Sequence, residues 1–325
     1  MAWLPFPSLH GDFIMTSALD PVLQRACDQV ERAFADPRQQ PVVHAFFEPV
    51  SCTISYVIRD PGSQACAVID SVLDFDPAAA RASTSTAHEL VRFIEQEKLD
   101  VKWVLETHVH ADHLCAAPYV QRRCGGKTAI GEHVVDTQRY FGHMLNLMTD
   151  PHADNPPFDR LFVDGDAFRI GNLEATVLHV PGHTAACLAY VIGDVVFPGD
   201  TLFMPDYGTA RCDFPGGDAR QLYRSIRRLL SLPDPTRLYF CHDYLPAGRT
   251  EYVWETTVGV QKRENIHVRQ EISEDDFVHM RESRDRTLAM PRLLFFAVQV
   301  NMRGGRLPSA ESNGMHYLKV PINPV

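Results

Sequence analysis

Six consecutive residues carry four side chains that can bind a metal ion. The segment reads H-x-H-x-D-H and consists of His108, Val109, His110, Ala111, Asp112 and His113. Imidazole and carboxylate groups are good ligands for zinc, iron and manganese. The alternating spacing sends successive side chains to different sides of a turn, so the segment can supply ligands to one ion or to two. A histidine-rich surface loop is the alternative interpretation.

Three further candidate ligands occur later in the chain, each within a short motif. They are His183 in P-G-H-T, Asp200 in P-G-D-T and His242 in C-H-D-Y. Each is weak on its own, because a single histidine that follows a strand is more often a hydrogen-bonded structural residue. Their order after the first segment makes the combined pattern specific, and it favours a metal site over a surface loop.

The elements around these residues predict that the candidates converge. Residues 101–105 form an apolar run that leads into the H-x-H-x-D-H segment, and residues 173–180 precede His183. Residues 195–198 precede Asp200, and residues 237–240 precede His242. These runs read as strands, and loops at strand ends are where α/β proteins place their ligand sites.

Other segments predict the rest of the framework. Turn residues separate the short runs 52–58 and 65–69, which indicates a hairpin, and residues 188–192 form another strand. Helical periodicity covers residues 83–99, with Thr84 or Ser85 as the N-cap, and residues 219–230. We expect a further helix from the end of the metal segment to Arg123, and a short helix opened by a capping box at Ser273. Residues 316–322 are a candidate last strand.

Composition narrows the classes of function. The chain has 325 residues, of which 45% are hydrophobic and 22% charged, as expected for a large α/β domain. The net charge of −10 argues against a nucleic-acid partner, since phosphate contacts need clustered Lys and Arg. No apolar run is long enough to span a membrane. The eight cysteines are scattered without a C-x-x-C motif, which favours reduced thiols and a cytoplasmic protein.

The combined motifs resemble the metallo-β-lactamase superfamily. T-H-x-H-x-D-H, P-G-H-T, G-D-T and a late H-D-Y carry the resemblance over roughly residues 42–250. It implies an α/β fold of the four-layer αβ/βα sandwich type, with the metal where the loops of two sheets meet. It does not fix the reaction, because the superfamily contains both hydrolases and oxygenases. We expect an N-terminal extension over residues 1–21, the metallo-β-lactamase-like domain over 22–263, and a C-terminal appendage packed on it over 264–325.

Narrower features resemble the persulfide (sulfur) dioxygenases and the bacterial β-lactamase-like hydrolase group. They are E-T-H-V-H-A-D-H-L at 106–114, D-Y-G-T-A-R-C-D-F at 206–214, N-M-R-G-G-R-L-P at 301–308 and L-K-V-P-I-N at 318–323. This resemblance implies one Fe(II) per chain, held by His108, His183 and Asp200. Such a triad leaves three positions open on an octahedral ion, where dioxygen and a persulfide sulfur can bind side by side. The implied reaction converts glutathione persulfide, O2 and water to glutathione and sulfite.

Four of the candidate ligands leave the metal count open. In the iron interpretation, His110, Asp112, His113 and His242 orient ligands and bound water. In the alternative, a dinuclear zinc hydrolase of the glyoxalase II (thioesterase) kind, the four take part in binding two Zn(II) ions that activate water. A third class is a regulatory or structural metal-binding protein, against which the intact ligand set argues.

The same resemblance implies the substrate-binding residues. Arg211 and Tyr244 match family positions beside the glutathione moiety, where Arg211 would pair with a substrate carboxylate and Tyr244 would donate a hydrogen bond near the metal. The alternative for Arg211 is a surface ion pair with Asp213. We expect Cys115 and Cys212 to be structural, and we expect the chain to form a homo-oligomer.

Overall fold

The computed structural model describes residues 20–147 and 157–323, and most of the predicted N-terminal extension lies outside them. The strands of the described ranges are β1 (Val42–Glu48), β2 (Thr53–Arg59), β3 (Ala65–Ile69), β4 (Val72–Asp76), β5 (Arg81–Ser83), β6 (Asp100–Leu105), β7 (Leu114–Cys115), β8 (Lys127–Gly131), β9 (Arg160–Phe162), β10 (Ala167–Ile170), β11 (Leu173–His179), β12 (Leu188–Ile192), β13 (Val195–Phe197), β14 (Arg237–Tyr239) and β15 (Glu255–Thr257). The helices are α1 (Pro21–Ala35), α2 (Ser85–Gln96), α3 (Ala117–Cys124), α4 (Val134–Met144), α5 (Ala219–Leu229), α6 (Val258–Glu264), α7 (Glu274–Asp285) and α8 (Leu294–Asn301).

Two six-stranded sheets form the centre of the fold. The first has the order β1-β2-β3-β6-β8-β9 and the second the order β10-β11-β12-β13-β14-β15. The first sheet is antiparallel from β1 to β3 and parallel from β3 to β9. The second is antiparallel except where β13 and β14 run parallel. A small third sheet, β5-β4-β7, lies beside the metal segment.

The two large sheets pack face to face, and helices cover their outer faces. Between the sheets, Tyr56 of β2 and Phe197 of β13 bring their ring centroids to 5.2 Å. Outside the first sheet, α2 buries Leu90 and Ile94 against Val104 and neighbouring strand residues. Outside the second, apolar residues of α1 and α5 form one cluster with β11 and β12. The chain is therefore a four-layer αβ/βα sandwich. Because both faces of its central strands are covered, the sequences of these strands are nearly unbroken apolar runs.

Most predicted elements are confirmed, and the hairpin is among them, since β2 pairs antiparallel with β3. Thr84 stands at the N-cap of α2, and the Ser273 hydroxyl accepts a hydrogen bond from Asp276 N at the start of α7. None of the helices within the described residues has the length and apolar character needed to cross a bilayer.

Two predictions about local structure are wrong. The helix expected directly after His113 starts only at Ala117, because Leu114 and Cys115 pair with β4 as the short strand β7. Residues 316–322 form no strand in the described part of the chain. The backbone N–H and C=O of Lys319 instead bond to the side chain of Gln299, which replaces the ladder of a neighbouring strand.

Candidate metal centre

All seven candidate ligands follow strands of the two sheets. The H-x-H-x-D-H segment follows β6, and His183 follows β11. Asp200 lies in a 3-10 turn after β13, and His242 lies after β14. The strands end at one edge of the sandwich, so the sheets hold the loops that carry these residues side by side.

His108, His183 and Asp200 form one buried group. A ligand atom of each lies within 4.8 Å of the others. Asp200 Oδ2 is 3.7 Å from His108 Nε2 and 3.5 Å from His183 Nε2. Two imidazoles and one carboxylate therefore face a common point.

Hydrogen bonds at Nδ1 of His108 and of His183 leave the Nε2 atom of each ring free to bind a metal ion. The Thr107 hydroxyl donates to Asp70 Oδ2 and therefore accepts from His108 Nδ1, 3.0 Å away. His183 Nδ1 donates to the carbonyl oxygen of Arg211 at 2.7 Å. These partners assign the Nδ1–H tautomer to both histidines, which puts a lone pair on each Nε2.

His110, Asp112 and His242 form a second group beside the first. Their ligand atoms also lie within 4.8 Å of one another. His242 Nε2 is 3.3 Å from Asp112 Oδ2 and 3.4 Å from Asp200 Oδ1, so Asp200 borders both groups. His113 is not part of this second group, and its Nδ1 lies 3.1 Å from the carbonyl oxygen of Leu114.

Several buried polar atoms in and beside these groups have no hydrogen-bond partner among the described residues. They are His110 Nδ1, Asp112 Oδ2, His113 Nε2 and His242 Nε2. Leaving such atoms unsatisfied is costly, and buried polar atoms without partners are rare in native proteins. Metal binding can satisfy such atoms, and nitrogen and oxygen donors suit zinc, iron or manganese. The residues present therefore fit a metal centre.

The electrostatics of the first group also suit a cation. Burial alone would raise the pKa of Asp200, but the imidazoles of His242, His108 and His183 hold it far below its usual range. Burial lowers the pKa of His108 and of His183. Asp200 is thus ionised and both imidazoles are neutral near neutral pH, which are the forms that bind metal.

Two residues of the centre were missed by sequence reasoning. Asp70 follows β3 and accepts hydrogen bonds from the backbone and hydroxyl of Thr107, while its Oδ1 lies 3.1 Å from His110 Nε2. Its position after a strand was the available signal. The Cys241 thiol donates to Asp200 Oδ1 at 2.7 Å, and burial followed by the charge of Asp200 raises its pKa well above the usual value.

Arg211 lies at the border of the first group. Its Nε and Nη2 donate to the two oxygens of Asp213, at 2.6 and 2.7 Å, and Nη1 donates to the carbonyl oxygen of Ala289. The ion pair considered as its alternative is therefore present. Two of its five N–H groups have no hydrogen-bond partner among the described residues. Phe214 lies between the guanidinium, 5.1 Å from the ring, and the His183 imidazole at 5.2 Å.

Tyr244 stacks on the second group. Its ring is nearly parallel to that of His242, with centroids 5.2 Å apart, and Tyr207 packs on it at 4.9 Å. The residue is 37% exposed, so part of it lies at the surface beside the second group. The predicted substrate contacts of Arg211 and Tyr244 stay predictions.

Comparisons with known proteins agree with this geometry. The sequence model of the metallo-beta-lactamase superfamily matches residues 53–242. A protein named "Probable metallo-hydrolase" from Burkholderia pseudomallei is 53% identical, with 87% of this chain and 99% of that protein covered. "Glyoxylase B2" of Dictyostelium discoideum is 43% identical over 86% of this chain and 97% of its own. The chain spans only 65% of a 50% identical "Beta-lactamase hydrolase-like protein" of Agrobacterium fabrum.

Other similar proteins carry a different name. The mitochondrial "Persulfide dioxygenase ETHE1" of Homo sapiens is 28% identical over 81% of this chain and 89% of that protein. The crystal structure of ETHE1 from Myxococcus xanthus superimposes with a TM-score of 0.64 at 30% identity, covering 82% of this chain and 100% of that one. The names of the similar proteins thus divide between hydrolase and dioxygenase.

Proposed function

The chain belongs to the metallo-β-lactamase superfamily, and from that premise we propose that it is an iron-dependent persulfide dioxygenase. The reaction oxidises glutathione persulfide with O2 and water to glutathione and sulfite. Both oxygen atoms of O2 and one from water enter the sulfite, and the S–S bond is cleaved. One Fe(II) per chain is the proposed cofactor, with His108, His183 and Asp200 as its ligands.

The donor set of the first group carries this proposal. Two imidazole nitrogens and one carboxylate oxygen face one point, as in the two-histidine, one-carboxylate sites of iron oxygenases. Iron bound there would offer adjacent open positions to O2 and to the persulfide sulfur. Thr107 and the Arg211 carbonyl hold the two rings in place, and Asp200 supplies the negative charge. The likeness to the Myxococcus xanthus protein over that protein's full length also supports it.

Arg211 and Tyr244 are the residues that we propose for substrate binding. Asp213 holds the guanidinium of Arg211 in a fixed orientation on Phe214, and the two remaining N–H groups can receive a carboxylate of glutathione. Tyr244 is partly exposed and stacks on His242 of the second group, where its ring and hydroxyl can contact a bound substrate. Together these residues would bind the ends of the substrate while its sulfur lies at the triad.

A dinuclear zinc hydrolase of the glyoxalase II kind is the second candidate. The unpartnered atoms of His110, Asp112, His113 and His242 favour it, because Asp200 can bridge two ions between the two groups. Two zinc ions held there would supply a water of lowered pKa, and the substrate would be a thioester instead of a persulfide. The similarity to a protein named "Glyoxylase B2" points the same way.

Metal content separates the two candidates. Elemental analysis of protein purified without added metal should find close to one iron per chain and little zinc. Two zinc ions per chain, together with thioester hydrolysis, would defeat the iron proposal.

The eight cysteines are all free, which supports our proposal that the protein works in a reducing compartment, the cytoplasm.

A further inference from the structure

Asn301, the last residue of α8, is hydrogen-bonded to the loop that carries the metal ligands. Its amide nitrogen donates to the carbonyl oxygens of His110 at 2.8 Å and His113 at 2.7 Å. Its amide oxygen accepts from the backbone N–H of Cys115 at 2.7 Å. The side chain is only 4% exposed. One buried side chain thus satisfies three backbone groups of the segment between the first ligands and β7.

Helix α8 contacts the same segment through two apolar clusters. Val109 packs in one apolar cluster with Leu294 and Val298 of the helix. Leu114 packs in another with Ala297 and Val300. The loop from 109 to 115 therefore rests along the helix, with Asn301 at the helix end that faces the ligands.

The chain that follows α8 stays against this loop. Gly305 has φ +81°, and a Cβ there would lie 2.6 Å from the carbonyl oxygen of Cys115 and 2.5 Å from Pro118. Only glycine fits this approach without a shift of the neighbouring backbone. Helix α8, Asn301 and Gly305 lie beyond residue 242, where the match to the superfamily model ends.

We infer that Asn301 is a positioning residue of the metal centre, which fixes the imidazoles of His110 and His113 through their own carbonyl groups. One nitrogen of each ring, His110 Nδ1 and His113 Nε2, has no hydrogen-bond partner among the described residues, so the backbone that carries each ring helps to set its direction. The carbonyl groups of a loop that turns sharply cannot bond to a neighbouring strand, and the amide of Asn301 takes that place. The C-terminal appendage thereby contributes to the centre. This inference rests on the proposed metal centre, in which His110 and His113 orient the ligands and bound water of one ion or help to bind a second, but not on the proposed reaction.

Cobalt(II) binding tests the inference without reference to turnover. Metal-free full-length protein is titrated with Co(II), and both the affinity and the visible d–d absorption spectrum are recorded. Asn301→Ala should weaken binding of Co(II) by about ten- to a hundredfold, the usual effect of removing a group that orients metal ligands. The spectrum should change in shape, because the imidazoles are no longer held in one direction. If the protein binds two Co(II) ions, the affinity of the weaker site is compared between the variant and the unsubstituted protein.

Gln299 provides a matched control on the same helix. Its side chain is also a fully buried amide, but it bonds to Lys319 and Phe295 and not to the metal loop. Gln299→Ala should lower the thermal stability of the metal-free protein at least as much as Asn301→Ala does, while leaving Co(II) affinity within about twofold and the spectrum unchanged.

A second variant keeps the inference open to disproof if Asn301→Ala fails to fold. Asn301→Asp retains the oxygen that accepts from Cys115 but removes both donors, so it should show the same loss of affinity. Equal Co(II) affinity in an Asn301 variant and the unsubstituted protein would overturn the inference. So would equal losses in the Asn301 and Gln299 variants, because the effect would then be general destabilisation.

Discussion

Asp200 Oδ2 lies 3.5 Å from His183 Nε2, and the two residues follow the ends of strands β13 and β11. Two ligands that are each about 2.0–2.2 Å from one ion are roughly 3–3.5 Å apart, so the two atoms can share a metal without moving far. His108 Nε2 lies at nearly the same distance, 3.7 Å, from the same oxygen. The fold therefore holds the three ligand atoms at distances that suit a shared ion.

Substitution of single ligands should separate the triad from its surroundings. Asp200→Ala and His183→Ala should each abolish iron binding, because each removes one of three ligands. His242→Ala should leave iron bound, since His242 lies with Asp112 in the second group and approaches Asp200 at Oδ1, the oxygen that does not face His108 and His183. Iron content after gel filtration is the measurement. Loss of metal from His242→Ala as complete as from Asp200→Ala would mean that the site is dinuclear.

Arg211→Ala should weaken recognition of glutathione persulfide. A charge-assisted pair with a carboxylate contributes about 1.5–3 kcal/mol, so KM should rise roughly ten- to a hundredfold. The value of kcat should change little, because the contact is made equally in the ground state and the transition state. Initial rates of oxygen uptake at varied substrate concentration measure both constants.

A small persulfide without carboxylates is the control for Arg211. The variant should oxidise it nearly as well as the unsubstituted protein does. If activity on both substrates falls equally, Arg211 acts by holding the loop whose carbonyl oxygen binds His183 Nδ1, and the recognition role fails.

The places of the candidate metal ligands could be predicted because they depend on local sequence. A ligand directly after an apolar strand must lie at the sheet edge, and the runs before His108, His183, Asp200 and His242 are strands in the structure. The burial of both faces made these strands easy to recognise. The helix start at Ala117 could not be predicted, because it depends on pairing between β7 and the distant β4.

Contacts between distant side chains were equally hidden. Nothing local in the sequence pairs Asn301 with His110 or Lys319 with Gln299, since these contacts exist only after α8 has packed. Residues 316–322 are mostly apolar, as strands often are. At Lys319, however, the side chain of Gln299 and not a neighbouring strand bonds to the backbone N–H and C=O. Such tertiary contacts decide the last structural details in a large domain.

Arg281→Met should strongly destabilise the protein. Arg281 is 1% exposed, pairs with Asp285 at 2.6 Å and donates to the carbonyl oxygen of Thr209. Removal of the arginine leaves a buried carboxylate without its charge partner, which costs about 3–5 kcal/mol of unfolding free energy. Urea denaturation followed by circular dichroism measures the loss.

Arg224→Met is the matched control for Arg281→Met. Arg224 pairs with Glu274 between α5 and α7, but its side chain is 64% exposed. Exposed pairs contribute about 0–1 kcal/mol, so this variant should lose little. Similar losses in the two variants would show that burial of the Arg281 pair adds nothing to stability.

Oxygen uptake by the iron-loaded protein is the most direct test of the proposed reaction. Metal-free protein is loaded anaerobically with one equivalent of Fe(II), and glutathione persulfide is added in an oxygen electrode cell. The account predicts that one O2 is consumed and one sulfite is formed for each persulfide, with no uptake in the Asp200→Ala variant. An iron-loaded protein that consumes no O2, while its zinc-loaded form hydrolyses a glutathione thioester, would contradict the account.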